Sequence, residues 1–270
     1  MSIRRQDIGV LLLYCCGYSR IKNLILRLKR KPVARFVTFH GLLPTALNSF
    51  ERNLNFLKSK TNVVSFDNFM AGRLSYTKVN VVITFDDGFK SWITHAVPIL
   101  QRFGLPATFF ISAGVIGLAG ADEMDFIQSK LLLKQTPNNA NAVGLTYDDV
   151  REIADKGFTI GGHTLNHCNL SELHDSDKIK YEITEDKLRL EKITGTRIDY
   201  FAYPSGAYKN QNINLTEVLK ESGYRGAVTT VSGYNDANTN PYLLHRELTG
   251  AAMPTPVFKA RVYGNYDAIQ

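Results

Sequence analysis

Short apolar segments alternate with amphipathic ones along most of this chain. Runs rich in Val, Ile and Phe predict strands at residues 34–39, 63–66, 79–85, 107–112, 158–162, 200–203 and 226–230. Apolar positions three and four apart predict helices between them, at residues 46–60, 93–103, 147–156, 176–193 and 213–222. This alternation is typical of a largely parallel sheet or barrel, so the pattern predicts an α/β fold.

One segment, residues 113–145, does not follow the pattern. It begins rich in glycine, predicts one helix around residues 126–133 and becomes rich in asparagine at residues 137–142. Long irregular insertions in a compact domain commonly carry function. We therefore expect this segment to lie over the functional site and to set substrate specificity.

Residues 1–31 form a basic arm. Residues 8–14 are apolar but too few to cross a membrane, which takes about 20 residues. Further along, apolar residues at helical spacing share the segment with cations, namely Ile21, Leu24, Ile25 and Leu28 with Lys22, Arg27, Lys29 and Arg30. Two interpretations stay open: a helix lying on an anionic membrane surface, or a helix packed on its own domain with a solvated basic face. The arm is followed by a single predicted domain, residues 32–270.

The net charge of +7 belongs to the arm. Residues 1–31 hold eight Lys and Arg side chains against Asp7, whereas the remaining 239 residues hold 24 basic and 24 acidic side chains. A nucleic-acid-binding domain would carry basic residues over a face of its own, so no nucleic-acid partner is expected. Three cysteines, two of them adjacent, make no disulfide framework and indicate a reducing compartment. We expect a cytoplasmic protein. The arm could also hold it at the inner face of the membrane, and export is left open.

Two adjacent carboxylates, Asp86 and Asp87, end the strand predicted at residues 79–85. Like charges repel, so the pair gains nothing in stability unless a cation binds one of them. A simple Asp-Asp-Gly turn, completed by Gly88, is the alternative explanation. Because side chains alternate at a strand end, one carboxylate can ligate a metal while its neighbour faces a bound water.

Two histidines, His163 and His167, follow Gly-Gly after a later strand. With one carboxylate they would bind one divalent metal ion and leave positions for water and substrate. Zinc suits this donor set best, and such sites also hold iron, nickel or cobalt. The spare carboxylate then serves proton transfer, which indicates metal-assisted hydrolysis. An iron oxygenase is a weaker alternative, since its ligands are usually a close His-x-Asp/Glu pair and a distant histidine.

Three motifs in order resemble those of the polysaccharide deacetylase (NodB-homology) family of carbohydrate esterases: TFDDG at 84–88, HTLNH at 163–167 and FAYPSGAY at 201–208. The resemblance covers residues 79–250 within the predicted domain 32–270. It implies a distorted (β/α)7-type barrel in one domain that removes N-acetyl, sometimes O-acetyl, groups from hexosamines of a polysaccharide, glycan or lipid-linked sugar. A catalytically inactive barrel that only binds glycans is the main alternative.

The resemblance also assigns roles to individual residues. Asp86 would be the general base, and Asp87, His163 and His167 the metal ligands. The backbone N–H of Tyr203 would help to hold the oxyanion. The substrate site would be lined by Tyr203, Pro204, Gly206 and Phe89.

The general acid has two candidates, His40 and His245. Leu243-Leu244-His245 matches the Leu-x-His motif that supplies the acid in much of the family. The same stretch also resembles a Leu-Pro-Arg segment of members with permuted motif order, in which the histidine ends an N-terminal strand, as His40 does after residues 34–39. The arginine that many members carry before the proline motif is absent, with Ala202 near its position. We favour His40 and the permuted, poly-N-acetylglucosamine-deacetylase-like branch.

Overall fold

A computed structural model describes residues 14–28, 31–129 and 144–268 of the protein. The strands are β1 (Ala34–Phe39), β2 (Asn62–Val63), β3 (Asn80–Asp87), β4 (Thr108–Ile111), β5 (Thr159–Gly162), β6 (Tyr200–Ala202), β7 (Gly226–Val228) and β8 (Glu247–Leu248). The α-helices are α1 (Tyr18–Leu28), α2 (Leu47–Lys60), α3 (Phe66–Met70), α4 (Val97–Phe103), α5 (Gly120–Ser129), α6 (Tyr147–Asp155), α7 (Ser176–Thr194), α8 (Leu215–Glu221) and α9 (Thr255–Val262). In these ranges no helix is long and apolar enough to cross a membrane.

The strands form one curved sheet in the order β7-β6-β5-β4-β3-β1-β8, and β2 pairs with β3 outside this path. Every named pair is parallel, so the amino ends of the strands lie at one rim and the carboxyl ends at the other. Residues 244–249, which include β8, connect β7 with β1: Leu244 bridges Val228 of β7, and Glu247 pairs with Val37 of β1. These observations confirm the predicted α/β fold, a distorted barrel in one domain.

The two faces of β3 pack against different parts of the molecule. Val81, Ile83 and Phe85 belong to the large core cluster that includes the apolar sides of α2, α4 and α6. Val82 belongs to a smaller cluster with inward residues of β1, β4, β6 and β7. Because side chains alternate along a strand, Thr84 and Asp86 share the inner face with Val82. Asp86 therefore extends into the barrel interior at its carboxyl rim.

The structure departs from the predicted elements at several points. The strand predicted at residues 79–85 begins one residue later and ends two residues later, so both carboxylates lie within β3. The helix predicted at residues 93–103 begins as the π-helical segment Trp92–Ala96. The helix predicted around residues 126–133 is α5, which begins earlier, at Gly120. The short strand β8 and the helix α9 were not predicted, because no strong apolar period marks either segment.

Other predictions lie partly outside the described residues. The apolar run at residues 8–14 and the asparagine-rich residues 137–142 fall largely or wholly in ranges that the structure leaves out. The division of the chain into an arm of residues 1–31 and a domain of residues 32–270 stays a prediction.

A buried ion pair fastens β1 to β8. Arg35 donates to Glu247 at 2.5 Å and to Asp267 at 2.8 Å, and both Arg35 and Glu247 are fully buried. Replacing Arg35 with Met leaves a buried carboxylate without its main partner, so we expect the free energy of unfolding to fall by about 3–5 kcal/mol. Urea denaturation measures this change.

The matched control is Arg197→Met, which removes an ion pair with Asp199 at an arginine that is 63% exposed. Exposed pairs contribute about 0–1 kcal/mol, so this variant should unfold almost like the parent protein. Equal losses in the two variants would contradict the role given to the buried pair.

Candidate active site

The carboxyl ends of β3 and β5 bring the predicted metal ligands together. The two strands lie on either side of β4 in the sheet, with Asp86 and Asp87 opposite Phe110 and Ile111. Asp87 is the last residue of β3, and His163 follows the last residue of β5. Carboxyl ends of parallel strands meet at one rim, which is where such folds place functional sites.

Asp87, His163 and His167 form a compact group of donor atoms. The Nε2 atoms of His163 and His167 lie 3.5 Å and 3.4 Å from Oδ1 of Asp87. One ligand atom from each of the three residues lies within 4.8 Å of the other two. This spacing fits a single divalent ion between them. Two imidazoles and one carboxylate form the donor set of many catalytic zinc sites, which keep a position for water.

The backbone is strained where it presents these ligands. Asp87 has φ 93° and His167 has φ 52°, both in the region that favours glycine. Such conformations cost of order 1–3 kcal/mol each and persist only where the surrounding structure enforces them. At Asp87 the unusual φ interrupts the alternation of β3. The side chain therefore meets the histidines instead of pointing toward the outer helices.

The imidazole of His163 is oriented for ligation. Its Nδ1 lies 2.7 Å from the carbonyl oxygen of Ala202 at the end of β6. A carbonyl only accepts, so Nδ1 carries a proton, and Nε2, which faces Asp87, is the nitrogen that can ligate a metal once it is deprotonated. Ligating histidines are typically fixed in this way by a hydrogen bond on the second nitrogen.

Electrostatic interactions keep Asp87 ionised. Burial alone acts to raise the pKa of this carboxyl. Hydrogen bonds with His163 and His167, together with the charge of His40, outweigh the burial and hold the pKa of Asp87 well below its ordinary value. The anionic form is the one that binds a metal.

Asp86 has a different partner. Its Oδ1 accepts a hydrogen bond from Arg246 at 2.6 Å, and both side chains are almost fully buried. Arg246 is itself fixed, since its Nε donates to the carbonyl of Thr229 and its NH1 lies near the hydroxyls of Thr38 and Thr84. Among the described residues, Oδ2 of Asp86 has no hydrogen-bond donor. One oxygen is therefore held and the other is available for chemistry.

Comparison with known proteins agrees with this geometry. The family model described as "Polysaccharide deacetylase" matches residues 74–227, which include all three motifs. The chain belongs to the polysaccharide deacetylase family. The matched range excludes His40, His245 and Arg246, so the family assignment does not depend on them.

Individual relatives are distant. YxkH of Bacillus subtilis strain 168 is 26% identical over 182 residues, covering 67% of this chain and 56% of that protein. The chitooligosaccharide deacetylase of Azorhizobium caulinodans is 28% identical over 151 residues, covering 55% of this chain and 59% of that protein. The chain thus matches less than two thirds of the length of these curated relatives.

Solved structures show the same fold. The deacetylase PplD of Streptococcus pyogenes, solved with acetate, superposes with a TM-score of 0.67 at 20% identity, covering 86% of this chain and 99% of that one. IcaB of Ammonifex degensii gives a TM-score of 0.67 at 20% identity, covering 87% and 97% of the two chains.

Helix α7 supports the histidine loop of the candidate site with two buried carboxylates. Asp186 accepts from the backbone N–H groups of Ala113 at 2.7 Å and His163 at 2.8 Å. Glu182, one turn earlier, accepts from the backbone and the side-chain amide of Asn166 at 2.9 Å and 2.8 Å. Together they fix the segments that carry His163 and His167. The sequence analysis missed both, although carboxylates four apart within the apolar stripe of a predicted helix are a usable signal.

Asp186 is fully enclosed. Burial raises its pKa from 3.8 to about 8. The close approach depends on Gly162, where an added Cβ would lie 2.8 Å from Oδ2 of Asp186 and 2.3 Å from the hydroxyl of Tyr224. Gly162, directly before His163, therefore makes room for the support from α7.

The proline motif places its amides differently from the expectation. The N–H of Tyr203 donates to the carbonyl of Val228 at 3.1 Å, along the sheet. Its hydroxyl donates to the carbonyl of Tyr242. Pro204 is buried. Gly206 has φ 70°, and a Cβ atom at this position would collide with the side chain of Thr230. Between them Ser205 has φ 55°, and among the described residues no acceptor engages its amide.

The two candidate acids lie in different places. His40 is exposed just after β1, where Phe39 pairs with Phe85, so it lies at the same rim as Asp86 and Asp87. His245 lines a cavity of about 360 Å³ with Tyr208, Asp236, Asn240 and others, none of them a predicted ligand. Since Arg246 reaches Asp86 inside the barrel, alternation directs His245 the opposite way. Phe89 is buried beside Gly41 and Trp92.

Metal affinity separates the two carboxylates. We expect Asp87→Asn to weaken zinc binding by about 100-fold or more, because a ligating anion is lost, and loss of a mere hydrogen-bond partner of a ligand already weakens metal binding about 10–100-fold. Asp86→Asn should bind one zinc ion almost as the parent does. Isothermal titration calorimetry measures both. Unchanged affinity in Asp87→Asn, or a large loss in Asp86→Asn, would contradict the assignment.

Proposed function

We propose that this protein is a metal-dependent hydrolase that removes N-acetyl groups from hexosamine residues of a polysaccharide, glycan or lipid-linked sugar. The observation that carries the proposal is that two adjacent buried carboxylates have different partners. Asp86 is paired with Arg246, and Asp87 is grouped with two imidazoles. A pure binding barrel has no need of both arrangements side by side.

Asp87, His163 and His167 would hold one divalent ion. Zinc is the first choice for this donor set, and nickel, cobalt and iron suit it as well. When bound, such an ion polarises the acetyl carbonyl and lowers the pKa of water at the site.

Asp86 is the proposed general base. Its free oxygen accepts the proton of the water that attacks the acetyl carbon, while Arg246 holds the other oxygen in place. Because Arg246 comes from residues 244–249, the same segment that joins β7 to β1 also aligns the base. This arginine stands in for the one missing before the proline motif.

His40 is the proposed general acid. Cleavage of the C–N bond releases acetate and an amine, whose nitrogen must gain a proton. His40 follows β1 at the rim that carries Asp86 and Asp87, whereas His245 lines a separate cavity. The amide of Ser205 has no acceptor among the described residues, so we propose it as the donor to the developing oxyanion in place of the amide of Tyr203, which donates to Val228.

The substrate class follows from the family and from the relatives' names. One curated relative is named for chitooligosaccharides, and the pairing of an N-terminal histidine with a late arginine favours the poly-N-acetylglucosamine-deacetylase-like branch. Pro204, Gly206, Tyr203 and Phe89 are proposed to shape the sugar site, and residues 113–145 to set its specificity. A cytoplasmic location, with the arm at an anionic membrane, is the proposed setting.

The direct test measures acetate released from β-1,4- and β-1,6-linked N-acetylglucosamine oligomers and from a lipid-linked N-acetylhexosamine. We expect release from at least one substrate, loss on chelation and recovery with zinc. Asp86→Asn should retain the metal but lose about 10²–10⁴-fold in kcat, the range for a general base. Glycan binding without acetate release would indicate the inactive barrel instead.

Leaving-group chemistry separates the two candidate acids. We expect His40→Ala to lower kcat on N-acetyl substrates by about 10²–10⁴-fold, with a much smaller loss on an aryl acetate, whose leaving group needs no proton. His245→Ala should keep kcat on both substrates. The reverse ranking of the two variants would assign the acid to His245.

A further inference from the structure

Helix α1 exposes its apolar residues. Ile21, Leu24, Ile25 and Leu28 are 60%, 54%, 45% and 76% exposed, and Tyr18 is 37% exposed. Of the twelve large apolar side chains that are exposed in the described ranges, five belong to this helix of 11 residues. Amphipathic helices of globular domains normally turn such residues inward. We call these five residues the arm stripe.

Asn23 of α1 faces the domain. Asn23 is 8% exposed, and its side-chain oxygen accepts from the hydroxyl of Tyr234 at 3.4 Å. Just before the helix, the ring of Tyr14 stacks on Tyr263 at 6.3 Å. The helix is therefore attached through residues outside the arm stripe. This arrangement disfavours the interpretation in which the apolar residues of the arm pack on their own domain.

The charge of the arm indicates what covers the stripe. Positions 20, 22 and 27 of α1 are cationic and none of its positions is acidic. At 3.6 residues per turn, Arg20 and Arg27 occupy positions bordering the stripe on one side and Lys22 a position on the other. Cations beside an apolar stripe match an anionic lipid surface. A second copy of this chain is disfavoured as the partner of the stripe, because two arms with a net charge of +7 each would repel one another.

Residues next to α1 are also a mixture of exposed aromatic and cationic side chains. Asn23 lines a shallow cleft with Lys31, Tyr76 and Lys78, at the points where the chain enters β1 and β3. Tyr76 is 57% exposed, and both lysines are exposed. Tyrosine and lysine are common where proteins contact lipid headgroups. These residues and the arm stripe form the arm face, at the amino rim of the sheet.

We propose that the arm face binds the surface of an anionic bilayer, with α1 lying in the plane of the headgroups. The ligand group lies at the opposite rim, about 23 Å away along β3 at 3.3 Å per residue. The bound protein thus directs its catalytic rim away from the lipid. If the proposed function holds, this orientation favours a sugar polymer extending from the membrane over a sugar linked directly to lipid.

Vesicle co-sedimentation of the full chain tests the binding. Vesicles of phosphatidylcholine with about 30% phosphatidylglycerol should retain the protein, and vesicles of phosphatidylcholine alone should retain at least about tenfold less. Binding to the anionic vesicles should weaken as salt is raised toward about 0.5 M. Leu24→Gln with Leu28→Gln, which changes no charge, should weaken the binding by about tenfold or more.

The matched control is Tyr181→Gln with Leu188→Gln, two residues of α7 that are 52% and 58% exposed. It should bind the anionic vesicles like the parent chain. Equal losses in both double variants, or no anionic binding by the parent, would overturn the proposal. So would a parent dimer, seen by light scattering without lipid, that dissociates in the arm variant. Acetate release from a soluble oligomer should not change in either double variant, so failure of binding and failure of catalysis are distinguishable.

Discussion

The site depends on keeping two adjacent carboxylates charged in a buried place. Asp86 and Asp87 are 3% and 7% exposed, and two unpaired anions so close would be strongly unfavourable. In the fold, each of the two negative charges is balanced by a different set of side chains. Arg246 neutralises Asp86 from inside the barrel, and two histidines, with the cation they are suited to hold, compensate Asp87. In the proposed mechanism the separation also divides the chemistry, with one carboxylate as the fixed base and the other as a ligand.

The compensation comes from distant parts of the chain. Residues 244–249 bond to β7 and β1, and this closure of the sheet carries Arg246 to Asp86. On the other side, Asp186 and Glu182 of α7 bind the backbone of the histidine loop. Catalytic geometry and stability therefore rest on the same contacts. Helix α1 lies at the other rim, where Asn23 contacts Tyr234, and takes no part in the contacts that hold Arg246 or the histidine loop.

Much of the fold was predictable, because strands such as residues 34–39 carry dense apolar runs and helices such as α7 carry a clear period. The ligand group was also predictable, since Asp87, His163 and His167 stand in short motifs at strand ends. Arg246 was not assigned a role, because its partner Asp86 is 160 residues away in the sequence. No local sequence pattern indicates a contact between residues so far apart. The conformation of Ser205 was not predicted for a similar reason: a positive φ at a non-glycine residue is set by tertiary contacts. The direction of the arm stripe required the burial of Asn23, which sequence periodicity alone does not give.

The central claim is that one divalent ion sits among Asp87, His163 and His167 while Asp86 stays off the metal. A crystal structure of the zinc-loaded protein, with anomalous differences collected on both sides of the zinc edge, tests it most directly. The account predicts one anomalous peak at about 2.0–2.2 Å from an oxygen of Asp87 and from Nε2 of both histidines, with Asp86 still bonded to Arg246. A peak ligated by Asp86, or no peak among these residues in active protein, would contradict it.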